Sequence, residues 1–321
     1  MNRTVAVLDL GSQTFRLVIA GVKSGNIEIL RSELVNVRLG EGLSTTGRLS
    51  EAGMRRGIEA LFKFSKILAD YKTNKIRACA TAALRAANNG EIFLKEARRT
   101  GFNIEVLSGK IEAGISALGV YYSLKDLPEL SLIVDAGGGS TEFVLARGKD
   151  IISASSLNIG AVSLTEMFLS PDPPGGRAFK ALEQYIKNAL KGIRLDISYP
   201  PMAVVGVGGS ATTIGAMLLG MIRYEPVRIR GLCLCVEDLK GLLSNLENIQ
   251  VDQRRTIAGL APERADIIPA GIVIFLSVLS FFKLERMTIT DGGLLFGLLM
   301  NLIQKEFRVH VEPPYTSGIY I

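Results

Sequence analysis

Hydrophobic and polar positions change their period several times along the 321 residues. Two apolar runs, 5–10 and 15–22, flank a short polar turn, and 28–37 continues as strand. From 51 to 70 the period becomes helical, with Met54, Ile58, Leu61, Ile67 and Leu68 along the apolar side and Ser50 at the capping position. A buried strand at 75–80, a helix through 91–99 opened by Asn88 or Asn89 and stopped at Gly101, a strand at 103–107 and a helix over 110–121 capped by Ser108 come next. Residues 123–129, with Pro128, read as a linker, after which strands at 130–135, 141–147 and 150–157 restart the pattern. Helices at 177–191, 211–219, 236–246 and 263–282, a strand at 286–290, the turn Asp291-Gly292-Gly293 and a helix to about 304 complete it. Such mixing predicts α/β architecture. The restart predicts two similar halves with a cleft between them: 1–124, 125–305 with a last helix that packs back on the first half, and a tail at 306–321.

The turns that interrupt the strands are more polar than a hairpin needs. VAVLDLGSQTFRLVIAG (5–21) and SLIVDAGGGSTEFVLAR (131–147) share one grammar of strand, Asp, glycine, Ser/Thr, strand; a third glycine turn, VVGVGGSATT (204–213), also follows an apolar run. Glycine permits positive φ and close backbone approach, and successive N–H groups in such a turn form an anion nest. A strand-end carboxylate such as Asp9 or Asp135 suits Mg²⁺ or another divalent cation, directly or through water. Two facing turns of this kind would grip a phosphate chain. A single one is also consistent with a decorated hairpin.

Composition narrows the chemistry. Hydrophobic residues make up 48% of the chain, enough for a large core without disulfides or structural metal. Cys79, Cys233 and Cys235 fit no zinc or redox spacing and are expected to be reduced core thiols. The one histidine, His310, argues against histidine metal sites and Ser-His-Asp triads. A strand directly after Met-Asn-Arg, and an apolar run at 267–282 that is short for a bilayer and broken by Pro269, predict a soluble cytoplasmic protein without a membrane partner. The net charge of +6 favours an anionic ligand, whereas no basic block or aromatic run suggests nucleic acid.

The motifs together resemble the exopolyphosphatase / guanosine pentaphosphate phosphohydrolase family of the actin-like ATPase and sugar-kinase superfamily. The resemblance runs through DLGSQTFR (9–16), LGEGL (39–43), LSEAGMRRG (49–57), ATAALRAANN (80–89), LSGKIEA (107–113) and VDAGGGSTE (134–142). It continues through IGAVSLTEMF (159–168), GVGGSATTIGA (206–216), ERADIIPAG (263–271) and TDGGLLFGLL (290–299). It implies two duplicated actin-like, ribonuclease H-like domains and Mg²⁺-dependent release of terminal phosphate from polyphosphate or guanosine pentaphosphate; the residues leave that choice of substrate open.

By the same resemblance Glu112 is the general base, Arg85 a phosphate clamp, Asp135 a metal or water ligand with Asp9 as its counterpart, and Glu142 a support for the metal or the attacking water. Read alone, Glu112 is a surface glutamate, Arg85 a loop arginine and Glu142 a strand-face carboxylate. Gly11, Ser12, Gln13, Thr14, Gly137, Gly138, Gly139, Ser140 and Thr141 would surround phosphate. Arg16 and Arg38 would extend the positive path, and Gly208, Gly209 and Ser210 would add a helix N-terminus. Gln13 stands where the family usually has Asn, Ile111 replaces an acidic residue, Gly114 an arginine, and Leu295-Phe296 a frequent Arg-Glu pair. With His310 alone the chain is expected to be a short form, without the histidine-rich C-terminal region of long members; a homodimer would supply further surface for a long polymer. The rival expectations are an ATP-dependent kinase of the superfamily and a phosphate-chain or alarmone sensor weakened by the departures.

Overall fold

The apolar runs satisfy their backbone groups by pairing with each other, and the period-2 alternation within each run decides which helices cover the resulting sheet. A computed structural model describes residues 3–23, 26–170, 172–196 and 201–307. These form two units, one holding the described residues up to Lys125 and from Gly292 onward, the other Asp126–Asp291.

In the first unit β1 (Arg3–Leu10), β2 (Thr14–Lys23) and β3 (Asn26–Asn36) form an antiparallel meander. The chain then crosses through α1 (Leu43–Thr46) and α2 (Glu51–Ala69) to β4 (Lys75–Ala80), parallel to β1. After α3 (Ala82–Ala86) and α4 (Gly90–Arg98) it adds β5 (Ile104–Val106), parallel to β4, and α5 (Gly109–Ser123). Leu8, Leu10, Leu17 and Ile19 pack on one face with Leu61 and Phe64 of α2 and Phe93 of α4. Val5, Val7, Val18 and Ala20 pack on the other, with Ile115 of α5.

The second unit repeats the plan. The meander is β6 (Leu130–Ala136), β7 (Thr141–Arg147) and β8 (Asp150–Leu157). Through α6 (Ala161–Phe168) and α7 (Gly175–Leu190) the chain reaches β9 (Ala203–Val207), parallel to β6. Then come α8 (Gly208–Leu218), α9 (Pro226–Ile229), β10 (Leu232–Cys235), α10 (Val236–Leu246), α11 (Val251–Arg254), a 3₁₀ turn at Pro262–Arg264, α12 (Ile268–Phe282) and β11 (Arg286–Ile289). The sheet orders are β3-β2-β1-β4-β5 and β10-β11-β9-β6-β7-β8. Read from β8, the second reproduces the first and adds β10 at the edge. The expected α/β fold with two actin-like halves is therefore observed.

Local signals set many of the helix limits. The hydroxyls of Ser50 and Ser108 accept from the amides of Gly53 and Ile111, as expected, each worth about 1 kcal/mol to its helix. Asn89 does precede α4, but its side chain does not cap it; it bonds both backbone groups of Leu49, at 2.8 and 3.0 Å. The helix expected at 263–282 is in two parts, because Pro269 belongs in a first turn, where its missing N–H costs nothing. No helix among the described residues is long and apolar enough to cross a membrane. Of the expected core thiols only Cys79 is buried; Cys233 is exposed and Cys235 half-buried, and all three are free. His310 and the tail from 308 lie outside the described residues.

The last helix, α13 (Leu294–Phe307), which the sequence reading kept in the second half but had packing back on the first, counts with the first unit, and the second unit ends at Asp291. Leu295 and Phe296, in place of the Arg-Glu pair, are buried in the first unit's core beside Val5 and Val7. Here α13 meets α5 through glycines. A Cβ on Gly119 would overlap the carbonyl oxygens of Gly292 and Gly293, and one on Gly297 the carbonyl of Ile115. In an open helix Gly→Ala stabilises by about 0.5–1 kcal/mol. At Gly119 and Gly297 it should instead destabilise by about 2–3 kcal/mol, read from urea unfolding. A gain in stability would show that the two helices separate freely.

Candidate active site

Each meander ends its first strand in a turn that is closed the same way. Gly11 N–H donates to Thr14 O at 3.0 Å, and Gly137 N–H to Ser140 O at 3.0 Å. These two amides therefore shape the loops. The loop carbonyls are also engaged. In the first unit Ser12 O accepts from Gly40 N, and Gln13 O from Val37 N and Arg38 N, at 2.8–3.0 Å. In the second, Gly137 O accepts from Ala161 N at 2.9 Å, and Gly138 O from Val162 N at 2.9 Å and Ser163 N at 3.2 Å. Drawing the negative ends of the peptides into protein hydrogen bonds is what an anion nest requires. It also accounts for α6, which the sequence reading missed: its first amides find acceptors in the loop and not in a side-chain cap.

Around the first loop, Ser12, Gln13 and Thr14 are buried. Gln13, the departure from the family's Asn, reaches Asn36 Oδ1 with its Nε2 at 3.0 Å and so ties the loop to β3. Arg38 holds a left-handed φ of 52°, which is uncommon for a side chain of its size. Arg56 braces it by donating to Val37 O and Arg38 O at 2.7 and 3.3 Å while pairing with Glu41 at 2.9 Å. Asp9 stands opposite Arg16 on β2 and opposite Cys79 on β4. The Nε of Arg16 is buried and makes no hydrogen bond among the described residues.

Arg85 and Glu112 come together. The β4 strand delivers Arg85 on α3, and the Ser108 cap places Glu112 in the first turn of α5, where the helix dipole favours a carboxylate. Arg85 Nη1 donates to Glu112 Oε2 and to Leu107 O, both at 2.8 Å. Glu112 is 7% exposed, not the surface residue that its helix alone suggested, whereas Ile111 beside it points to solvent.

In the second unit Asp135 lies across the β6–β7 ladder from Glu142. A Cβ on Gly208, whose φ is +90°, would sit 2.5 Å from Asp135 Oδ1, so the carboxylate rests on that glycine's backbone. Glu142 is 2% exposed, and its Oε1 accepts the hydroxyls of Ser140 at 2.7 Å and Ser156 at 2.8 Å. The Thr141 hydroxyl donates to Ile159 O. Both loop hydroxyls thus point their protons at protein acceptors. The third turn opens α8 at Gly208, three residues before the expected start, and Ser210 is buried against Gly271 of α12.

Sequence reasoning assigned no role to Arg264 or Ser156. Arg264, in ERADIIPAG, lays its guanidinium against Gly209, where a Cβ would overlap it. The fully buried Arg254 anchors the preceding segment: its Nε donates to Leu246 O at 3.0 Å, its Nη1 to Ala265 O at 3.5 Å, and it pairs with Asp172 at 3.4 Å. Burial lowers the pKa of this guanidinium, opposed by Asp172 and Asp266. An arginine in a motif ahead of an apolar helix was the available signal for Arg264.

Cys79, beside Asp9, has its thiol pushed up to about 12, chiefly by burial, with Glu105 and Asp9 adding to the shift and Arg77 opposing it. It is therefore a neutral thiol throughout the working range, and only the thiolate reacts with disulfide reagents. Native protein at pH 8 should take up such a reagent at the exposed Cys233 and leave Cys79 unmodified until denatured, as peptide mass mapping would show. Rapid labelling of Cys79 would mean that the strand end beside Asp9 opens readily.

Comparison with known proteins agrees with the geometry. The model of the Ppx/GppA phosphatase family matches residues 18–306. A crystal structure of an Aquifex aeolicus family member is 33% identical, covers 96% of this chain and 99% of its own, and superposes with a TM-score of 0.80. An exopolyphosphatase-like protein is 28% identical over 94% of this chain and 99% of its own, with a TM-score of 0.88. An exopolyphosphatase from Cytophaga hutchinsonii is 25% identical over 94% and 98%, with a TM-score of 0.87. With the family match running from the second strand into the last helix, the chain belongs to the Ppx/GppA phosphatase family, and it is a phosphoanhydride hydrolase.

Proposed function

We propose that the chain releases terminal orthophosphate from inorganic polyphosphate or guanosine pentaphosphate, with Glu112 as the base that activates water. The observation that carries this reading is the pairing of a half-buried Arg85 with the buried Glu112, which keeps a proton acceptor and a phosphate-pairing cation within 2.8 Å of each other. Water oxygen bonds to the terminal phosphorus while its proton passes to Glu112, and the bridging P–O bond breaks with its electrons leaving on the shortened substrate. Arg85 matches the fork of two phosphate oxygens. The glycine loops offer backbone amides whose partner carbonyls are already bonded elsewhere.

For a divalent cation, Asp9 and Asp135 are hard oxygen donors of the type that Mg²⁺ prefers. Among the described residues no group of three or more carboxylate, histidine or cysteine side chains gathers as a ready cage. Mg²⁺ is commonly held by one or two carboxylates, with waters and substrate phosphate oxygens completing its shell. When bound, the ion would offset the charge of the phosphate chain.

The test is orthophosphate release from each substrate, with and without Mg²⁺, by wild type and Glu112→Gln. Mg²⁺-dependent release that falls by about 10²–10⁴-fold in the variant supports the reading and ranks the substrates. Binding of either substrate by the wild type without release would replace it with a sensor, and transfer of phosphate to an acceptor other than water with a kinase.

A further inference from the structure

We propose that Ser156 is a positioning residue that fixes the carboxylate of Glu142, a role that rests on Glu142 supporting the metal or the attacking water. Glu142 and Ser156 are direct partners across the β7–β8 ladder, so their side chains leave the sheet on the same face. The Ser156 hydroxyl reaches Glu142 Oε1 at 2.8 Å, and the same oxygen receives the Ser140 hydroxyl at 2.7 Å. Two donors on one carboxylate oxygen occupy both of its lone pairs. Rotation of the carboxylate then breaks two charge-assisted hydrogen bonds at once.

The two donors are not equivalent. Ser140 belongs to the glycine loop and moves with it. Ser156 belongs to β8 and is carried by the ladder that pairs β8 with β7 from Thr141 to Arg147. It therefore refers the carboxylate to the sheet. The other serines of the strand have different work: Ser153 Oγ accepts from Asp196 N at 3.0 Å and Ser155 Oγ from Arg194 N at 3.3 Å, bonds that fasten the following segment to this edge strand. Of these three serines in IISASSL, Ser156 is the one bonded to a buried carboxylate.

The experiment compares Ser156→Ala, Ser156→Thr and, as a control outside the site, Ser153→Ala, by steady-state phosphate release from polyphosphate, with thermal unfolding as a check on the fold. Ser156→Ala should lower kcat by about tenfold or more with KM within about twofold, the size typical of residues that orient a ligand-bearing group. Ser156→Thr, which keeps the hydroxyl, should recover most of that loss, and Ser153→Ala should behave as wild type. A Ser156→Ala enzyme with wild-type kcat, or one whose defect is confined to KM, overturns the inference. So does a Thr variant as impaired as Ala although folded. Glu142→Gln separates the two levels. If it is inactive while Ser156→Ala is unimpaired, only the inference fails; if Glu142→Gln itself is as active as wild type, the role of Glu142 falls and the inference with it.

Discussion

A strand that ends in a tight glycine turn leaves peptide groups that must find partners, and how they are satisfied decides what the turn can bind. In both sheets the first glycine of the turn donates across it, Gly11 to Thr14 and Gly137 to Ser140, and amides from a later segment take up the carbonyls behind it. The later segment is 37–40 in one case and the start of α6 in the other. Negative peptide ends are thus consumed inside the protein at the two places where an anion would be received. The surroundings of each turn repeat as well: Asp9 and Asp135 lie near the ends of the first strands, and β4 and β9 lie parallel beside them.

The two loops share a backbone but differ in side chains. The first is tied by Gln13 to Asn36 and is followed by a braced left-handed arginine, Arg38, and its unit also carries the Arg85–Glu112 pair. The second holds a buried glutamate between two serine hydroxyls and lies beside Gly208, which has room for the Asp135 carboxylate because it lacks a Cβ. A duplicated fold has therefore kept one glycine turn twice while giving its two copies different carboxylate surroundings. Of the departures from the family pattern, Gln13 takes part in these contacts, whereas the following ones do not. Ile111 is exposed, and Leu295 and Phe296 have become core of the first unit.

What was legible in the sequence is what local chemistry decides. The hairpins follow from period-2 alternation, the helices after Ser50 and Ser108 from caps placed a few residues before their first apolar positions, and the glycine turns from Asp and glycine at a strand end. What was not legible depends on partners distant in the chain. Asn89 looks like a cap, but Leu49, forty residues away, holds its side chain. Helix α6 has no cap signal because the carbonyls that receive its amides belong to Gly137 and Gly138. The motif alone left Glu112 looking like a surface glutamate; its burial and its bond to Arg85 appear only when the end of β4 and the start of α5 are brought together. Arg264 and Ser156 were in view within ERADIIPAG and IISASSL, yet neither string says what lies opposite it in the sheet or over the neighbouring turn.

The most direct test of the central claim follows the oxygen of water. Turnover of polyphosphate in H₂¹⁸O, read by mass spectrometry under single-turnover conditions, should place one heavy oxygen in each released orthophosphate and none in the shortened chain. Orthophosphate without label, or label at the cut end of the remaining chain, would contradict attack of activated water on the terminal phosphorus and with it the role assigned to Glu112.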